Sequence, residues 1–137
     1  MMPCLGFWIQ LTLLVECYNR GIMTAGTYLI TAEQGATFNR TIIWKDANGV
    51  AVNLAGYTAR MQVREDYFST VAALTLTTEN GRITFGVATG SIVLDVSAAD
   101  MTLLESNVYV YDLELVSGGV VTRLIQGTFT VNAEVTR

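Results

Sequence analysis

Tyr57-Thr58-Ala59-Arg60-Met61-Gln62-Val63-Arg64 alternates, residue by residue, between an apolar set (Tyr57, Ala59, Met61, Val63) and a polar set (Thr58, Arg60, Gln62, Arg64). Successive side chains on a β-strand point to opposite faces, so a period of two describes a strand with one face in a core and one in water. The same pattern extends in both directions. Upstream, Ala36 to Lys45 reads as a long strand with Phe38, Ile42 and Trp44 in phase. Asp46-Ala47-Asn48-Gly49 follows as a turn, since Asn and Gly tolerate the positive φ of tight reversals. Val50 to Leu54 is then expected to return as a short strand.

Downstream, Ala72 to Thr77 and Arg82 to Val87 flank Glu79-Asn80-Gly81 and are expected to pair as a hairpin. Ser91 to Val96 is a further strand with Ile92, Leu94 and Val96 inward. Ser97 is a good N-cap with Asp100 three residues on, and Met101, Leu103 and Leu104 give an apolar side, which predicts a short connecting helix over Ala98 to Leu104. In Val108 to Val116, Tyr109, Tyr111, Leu113 and Leu115 face one way while Asp112 and Glu114 face the other. Ser117-Gly118-Gly119 makes the turn, and Val120 to Val131 runs back with Gly127 a candidate bulge. Seven to nine short strands with one short helix in some 115 residues predict an all-β, antiparallel immunoglobulin-like sandwich.

Composition agrees and narrows the function. The chain has 137 residues, 51% of them apolar and 15% charged, which suits one domain with one core. Its formal charge of −4 opposes a surface built to neutralise phosphates, so nucleic acid is not an expected partner. Histidine is absent, which removes Ser-His-Asp triads, Cys-His pairs and His-ligated zinc sites together. Both cysteines, Cys4 and Cys17, lie in the first seventeen residues. The β-patterned remainder must therefore hold by burial alone, which suits a reducing compartment.

Residues 1–22 read differently. Leu5, Phe7, Trp8, Ile9, Leu11, Leu13, Leu14 and Val15 form an apolar stretch broken by Gln10 and ending at Glu16. As a signal peptide it lacks a basic n-region, because nothing before Arg20 is positive, and it lacks a clear small-x-small cleavage site. Glu16 before Cys17 opposes a lipoprotein leader, and the stretch is too short to cross a bilayer as a helix. Beside an export or anchor signal stand two further readings: a gene start placed too early, with Met23 the biological first residue, or a short amphipathic or apolar helix packed on the domain or a partner. The chain thus divides into a leader, 1–22, and a sandwich domain, 23–137, with no membrane contact unless the leader functions.

Each candidate site has an ordinary alternative. Asp112 and Glu114 project from one strand face, as an acid/base pair or a metal site would need, and as solvated strand charges also do. The Asp46/Asn48/Gly49 turn lacks the further acidic ligands of a calcium loop. Trp44, Tyr57, Tyr109 and Tyr111 suggest a sugar platform, but their phase with Ile, Met and Leu makes them core. Arg60, Gln62 and Arg64 share a polar face that suits an anion contact or pairing with acidic neighbours across the sheet. No catalytic residue, cofactor or metal site is assigned.

Four stretches carry a resemblance: Thr24-Ala25-Gly26-Thr27-Tyr28; Glu33-Gln34-Gly35-Ala36-Thr37-Phe38; Ile43-Trp44-Lys45-Asp46 with Asn48-Gly49; and Val52-Asn53-Leu54-Ala55-Gly56-Tyr57 running on to Arg64. Tyr109-Val110-Tyr111-Asp112-Leu113-Glu114 and Gly127-Thr128-Phe129-Thr130-Val131 complete it. The chain resembles small immunoglobulin-like structural proteins of tailed bacteriophages and prophages, similar to the N-terminal domains of baseplate upper proteins and related tail components. The resemblance spans Met23 to Arg137 and omits the leader. It implies a virion component assembled in the host cytoplasm that catalyses nothing, docks other virion proteins and forms homo-oligomers. Arg60, Gln62, Arg64 and the loop Glu65, Asp66, Tyr67, Phe68 and Ser69 are the expected interaction surface. A receptor- or carbohydrate-binding module at the host-facing end, or an exported bacterial surface protein, are the alternatives.

Overall fold

A computed structural model describes residues 4–9, 12–17, 26–86 and 89–135. Among the described residues from Gly26 on, nine strands divide between two sheets: β3 (Gly26–Thr27), β4 (Ile30–Glu33), β5 (Phe38–Lys45), β6 (Thr58–Arg64), β7 (Leu74–Thr77), β8 (Ile83–Gly86), β9 (Ser91–Val96), β10 (Asn107–Ser117) and β11 (Val120–Asn132). Before them lie β1 (Cys4–Ile9) and β2 (Thr12–Cys17). One sheet runs β1-β2-β5-β9-β8 and the other β3-β11-β10-β6-β7, with β4 also on β11. Strands β5, β9 and β8 follow the B-E-D order of an immunoglobulin domain, and β11, β10, β6 and β7 its G-F-C-C′ order. The fold is an all-β sandwich with one short helix, α1 (Ala98–Thr102).

Alternation builds the core. Ala59, Met61 and Val63 of β6, Leu74 and Leu76 of β7, and Tyr109, Tyr111, Leu113 and Leu115 of β10 are buried, as are Phe38, Ile42 and Trp44 of β5 and Ile92, Leu94 and Val96 of β9. Phe38 meets Phe129 edge-to-face across the sheets at 5.3 Å, and Tyr111 meets Phe129 at 6.4 Å, spacings at which aromatic pairs add to area burial. Ser97 caps α1 by accepting from the Asp100 N–H at 3.2 Å.

Five expectations need correction. The sheets are not purely antiparallel: β3 and β4 run parallel to β11, and β2 parallel to β5. No hairpin joins β3 or β4 to β11, which lies at the far end of the chain, so no tight turn imposes an antiparallel sense on that edge. Val50 to Leu54 forms no strand but a single bridge, Lys45 to Ala51, made by the Asp46 N–H on the Val50 carbonyl and the Val52 N–H on the Trp44 carbonyl; beyond it Asn53 closes its own turn on the Ala55 N–H. Strands β7 and β8 do not pair with each other; β7 pairs with β6 and β8 with β9. The outer edge of β7 is filled by side chains instead: Asn80 and Arg82 donate to the Thr75 carbonyl, and Thr77 N–H donates to Asn80 Oδ1. This blunts the edge against pairing.

The bulge lies at Leu124 rather than at Gly127, since the β10–β11 register shifts between Leu113↔Ile125 and Glu114↔Arg123. Gly127 pairs regularly with Tyr111, and its role is close approach: a Cβ there would lie 2.4 Å from the Tyr28 carbonyl oxygen. Finally, where a short helix was one reading of 1–22, Cys4–Ile9 and Thr12–Cys17 are strands, and β2 fills the open backbone groups along β5. The boundary expected between residues 22 and 23 falls outside the described residues, as does Val87 at the end of the expected eighth strand.

Candidate docking surface

The outer face of the β6-β10-β11 sheet carries the polar halves of three alternating strands. Register places Arg60 opposite Glu114, Gln62 opposite Asp112, and Arg64 opposite Val110. Arg60 Nε donates to Glu114 Oε1 at 2.9 Å. Arg123 reaches both carboxylates, at 3.4 Å from Asp112 and 3.5 Å from Glu114. The paired acids thus sit among guanidinium groups, the ordinary cross-strand arrangement. Partial burial raises the Asp112 carboxyl; the Arg123 charge opposes that rise and Glu114 adds to it.

Arg64 behaves differently from Arg60. Its guanidinium donates to Gln62 Oε1 at 3.2 and 2.6 Å and to the Ser69 carbonyl, so it braces the loop after β6 rather than an acid. Asp66 fixes the same loop as an Asx turn, accepting from the Phe68 N–H at 2.8 Å, while the Asp66 carbonyl accepts from Ser69 at 3.3 Å. Ser69 Oγ donates to the Val71 carbonyl at 3.1 Å, and Ala73 N–H returns to Val63 at 2.7 Å. On this bonded frame Tyr67 is 72% exposed, Phe68 92% and Val71 73%. A groove of about 260 Å³ between loop and sheet is lined by Gln62, Arg64, Asp66, Tyr67, Asp112 and Arg123 among others.

Of the eight residues expected to form the interaction surface, Gln62, Arg64, Asp66 and Tyr67 line this groove; Arg60 lies further along β6 beside Glu114, Phe68 stands exposed on the loop, Ser69 accepts from Arg64, and Glu65 lines a separate groove with Leu103 and Glu105. Arg123 was missed because strict alternation counted back from buried Phe129 puts position 123 in the core. The extra residue Leu124, itself buried, turns Arg123 outward. Val71 carried no signal beyond its being apolar in a loop. The aromatics considered for sugar stacking present no open ring face: Trp44, Tyr109 and Tyr111 are buried, Tyr111 at the base of the groove, and Tyr57 packs edge-on against Trp44 at 5.7 Å. The Asp46 turn is closed on itself, Asp46 Oδ1 accepting from the Asn48 and Val50 N–H groups. Among the described residues no three His, Cys, Asp or Glu side chains are grouped to hold a metal ion.

The fold and this surface define an immunoglobulin-like sandwich that presents a rigid aromatic loop beside a charged sheet face. No protein-family model matches the chain, and no curated protein does. Among solved structures it is similar to the N-terminal domain of phage TP901-1 ORF48, at a TM-score of 0.41 and 11% identity, over 90% of this chain and 98% of that one.

Proposed function

We propose that this domain is a non-enzymatic virion structural protein of a tailed bacteriophage, a protein-protein docking module in tail, baseplate or capsid decoration that also associates with copies of itself. The observation that carries the reading is the loop Glu65 to Ser69. Five hydrogen bonds hold its backbone and flanks, yet Tyr67 and Phe68 are turned to water. Exposed aromatics on an already ordered backbone are the usual anchors of protein interfaces, since little ordering entropy remains to be lost on contact. Arg60, Gln62 and Arg64 provide a polar rim beside them. The resemblance of its motifs to those of phage tail components supports a virion as the setting of such an interface. The test is mass spectrometry of purified particles: the chain is expected among the virion proteins, and its absence refutes the assignment.

A further inference from the structure

The only two cysteines of the chain, Cys4 and Cys17, take no part in the surface described above. Cys4 opens β1 and Cys17 ends β2, so both stand at the open end of that antiparallel pair. Register sets them directly opposite one another. This is not the pairing that the other end of the ladder imposes: continued unbroken from Ile9↔Leu13 and Trp8↔Leu14, it would put Leu5 opposite Cys17. One extra residue of β1 between Leu5 and Trp8 shifts the register and brings Cys4 there instead. Opposite residues of an antiparallel pair have Cα atoms about 4.5 Å apart where they are not hydrogen-bonded and about 5.5 Å apart where they are. A disulfide spans roughly 4.4–6.8 Å between Cα atoms, so both kinds of site fall within its reach.

We infer that Cys4 and Cys17 form an intrachain disulfide that closes the β1–β2 pair outside a reducing compartment. The reaction is exchange with a small-molecule disulfide. One cysteine thiolate attacks it, a mixed disulfide forms and one small thiolate leaves; the second cysteine thiolate then attacks the protein sulfur of the mixed disulfide and expels the other small thiolate. The protons of the two cysteine thiols end on the two small thiols, and one S–S bond replaces another, so no further oxidant is needed. The bond acts on the fold through β5. Two strands alone are marginal in water, and here β2 covers the edge of β5 from Thr41 to Lys45. A cross-link at the open end removes the separated states of β1 and β2 and keeps that edge closed to strand addition. Everything after Cys17 lacks cysteine, so this is the one part of the chain whose closure follows the redox poise around it.

The test equilibrates the full chain with reduced and oxidised glutathione at fixed ratios, once folded and once in concentrated urea, quenches with acid and reads intact mass. The disulfide form is lighter than the dithiol by two hydrogen atoms, and with two cysteines in the chain a monomer of that mass carries the Cys4–Cys17 bond. Oxidation is expected to have an equilibrium constant roughly tenfold or more larger in the folded chain than in urea, because the folded register holds the two thiols together. Cys4→Ser with Leu5→Cys moves the sulfur by one residue, to the opposite face of β1, and is expected to lose that gain. Equal constants for the folded and unfolded wild type, a disulfide-linked dimer on a non-reducing gel in place of the oxidised monomer, or a register-shifted chain that keeps the full gain overturns the inference.

Discussion

The Tyr111 hydroxyl donates a buried hydrogen bond to the Tyr28 carbonyl at 2.7 Å, and the same carbonyl lies against the Cα of Gly127. Three segments far apart in sequence are joined at one point: the stretch between β3 and β4, the centre of β10 and the centre of β11. Antibody domains place a cysteine two residues after the corner tyrosine of this strand. Here Tyr109 is that corner tyrosine, bonded to the carbonyl four residues back, and Tyr111 occupies the later position. Its hydroxyl ties the stretch between β3 and β4 to β10 within one sheet, whereas the antibody disulfide joins the two sheets.

Tyr111→Phe is expected to lower unfolding stability by about 1–3 kcal/mol, the cost of leaving a buried acceptor without its donor. Gly127→Ala is expected to destabilise by a comparable or larger amount, because its Cβ meets backbone rather than a side chain that can move. Urea titrations followed by near-UV circular dichroism check both. If Tyr111→Phe is neutral, the bond does not fasten the β3–β4 stretch to β10.

Two aspartates respond to acid in opposite directions. Hydrogen bonds from Arg82 and then from Ser97 hold Asp100 below its ordinary 3.8. A lowered folded-state pKa gives stability that is present above the unfolded value and lost as pH falls through the folded one. Asp112 is raised, chiefly by burial, so its charged form carries a penalty at neutral pH that disappears as pH falls through a value above 3.8. Unfolding between pH 2 and 7 is therefore expected to show the wild type losing ground to Asp100→Asn in acid and gaining on Asp112→Asn.

Deleting Leu124 is expected to leave a folded chain with Arg123 still opposite Glu114, because Leu124 is the residue inserted between inward Ile125 and outward Arg123. The cost is that of losing a buried leucine side chain, about 2–5 kcal/mol. A cooperative thermal transition at lower temperature checks this; loss of the transition contradicts the bulge as a single inserted residue.

That bulge also marks the limit of what the sequence makes legible. Period-two patterning locates β6, β9, β10 and the helix cap, because each has a half-buried face or a cap residue whose chemistry is local. It puts Arg60, Gln62 and Arg64 on the outward face of β6 for the same reason. It misses Arg123, since a bulge is one residue of inserted register with no compositional mark. It also misreads β7 and β8 as a hairpin: their apolar sets fit one another, and what separates them is the side-chain capping of Thr75 and Thr77 by Asn80 and Arg82, a tertiary feature. Gly127 was legible as unusual, but its reason, the Tyr28 backbone across the edge, was not.

Phe68 is exposed and makes no core contact, so Phe68→Asp is expected to change stability by less than about 0.5 kcal/mol while removing the principal anchor. The direct test is the copy number of wild-type and Phe68→Asp chains in purified particles, by quantitative mass spectrometry, with thermal unfolding confirming that both are folded. The expected result is a fixed number of wild-type copies per particle and at least a tenfold loss for Phe68→Asp. Wild type absent from particles, or a folded Phe68→Asp present at the wild-type copy number, contradicts the docking account.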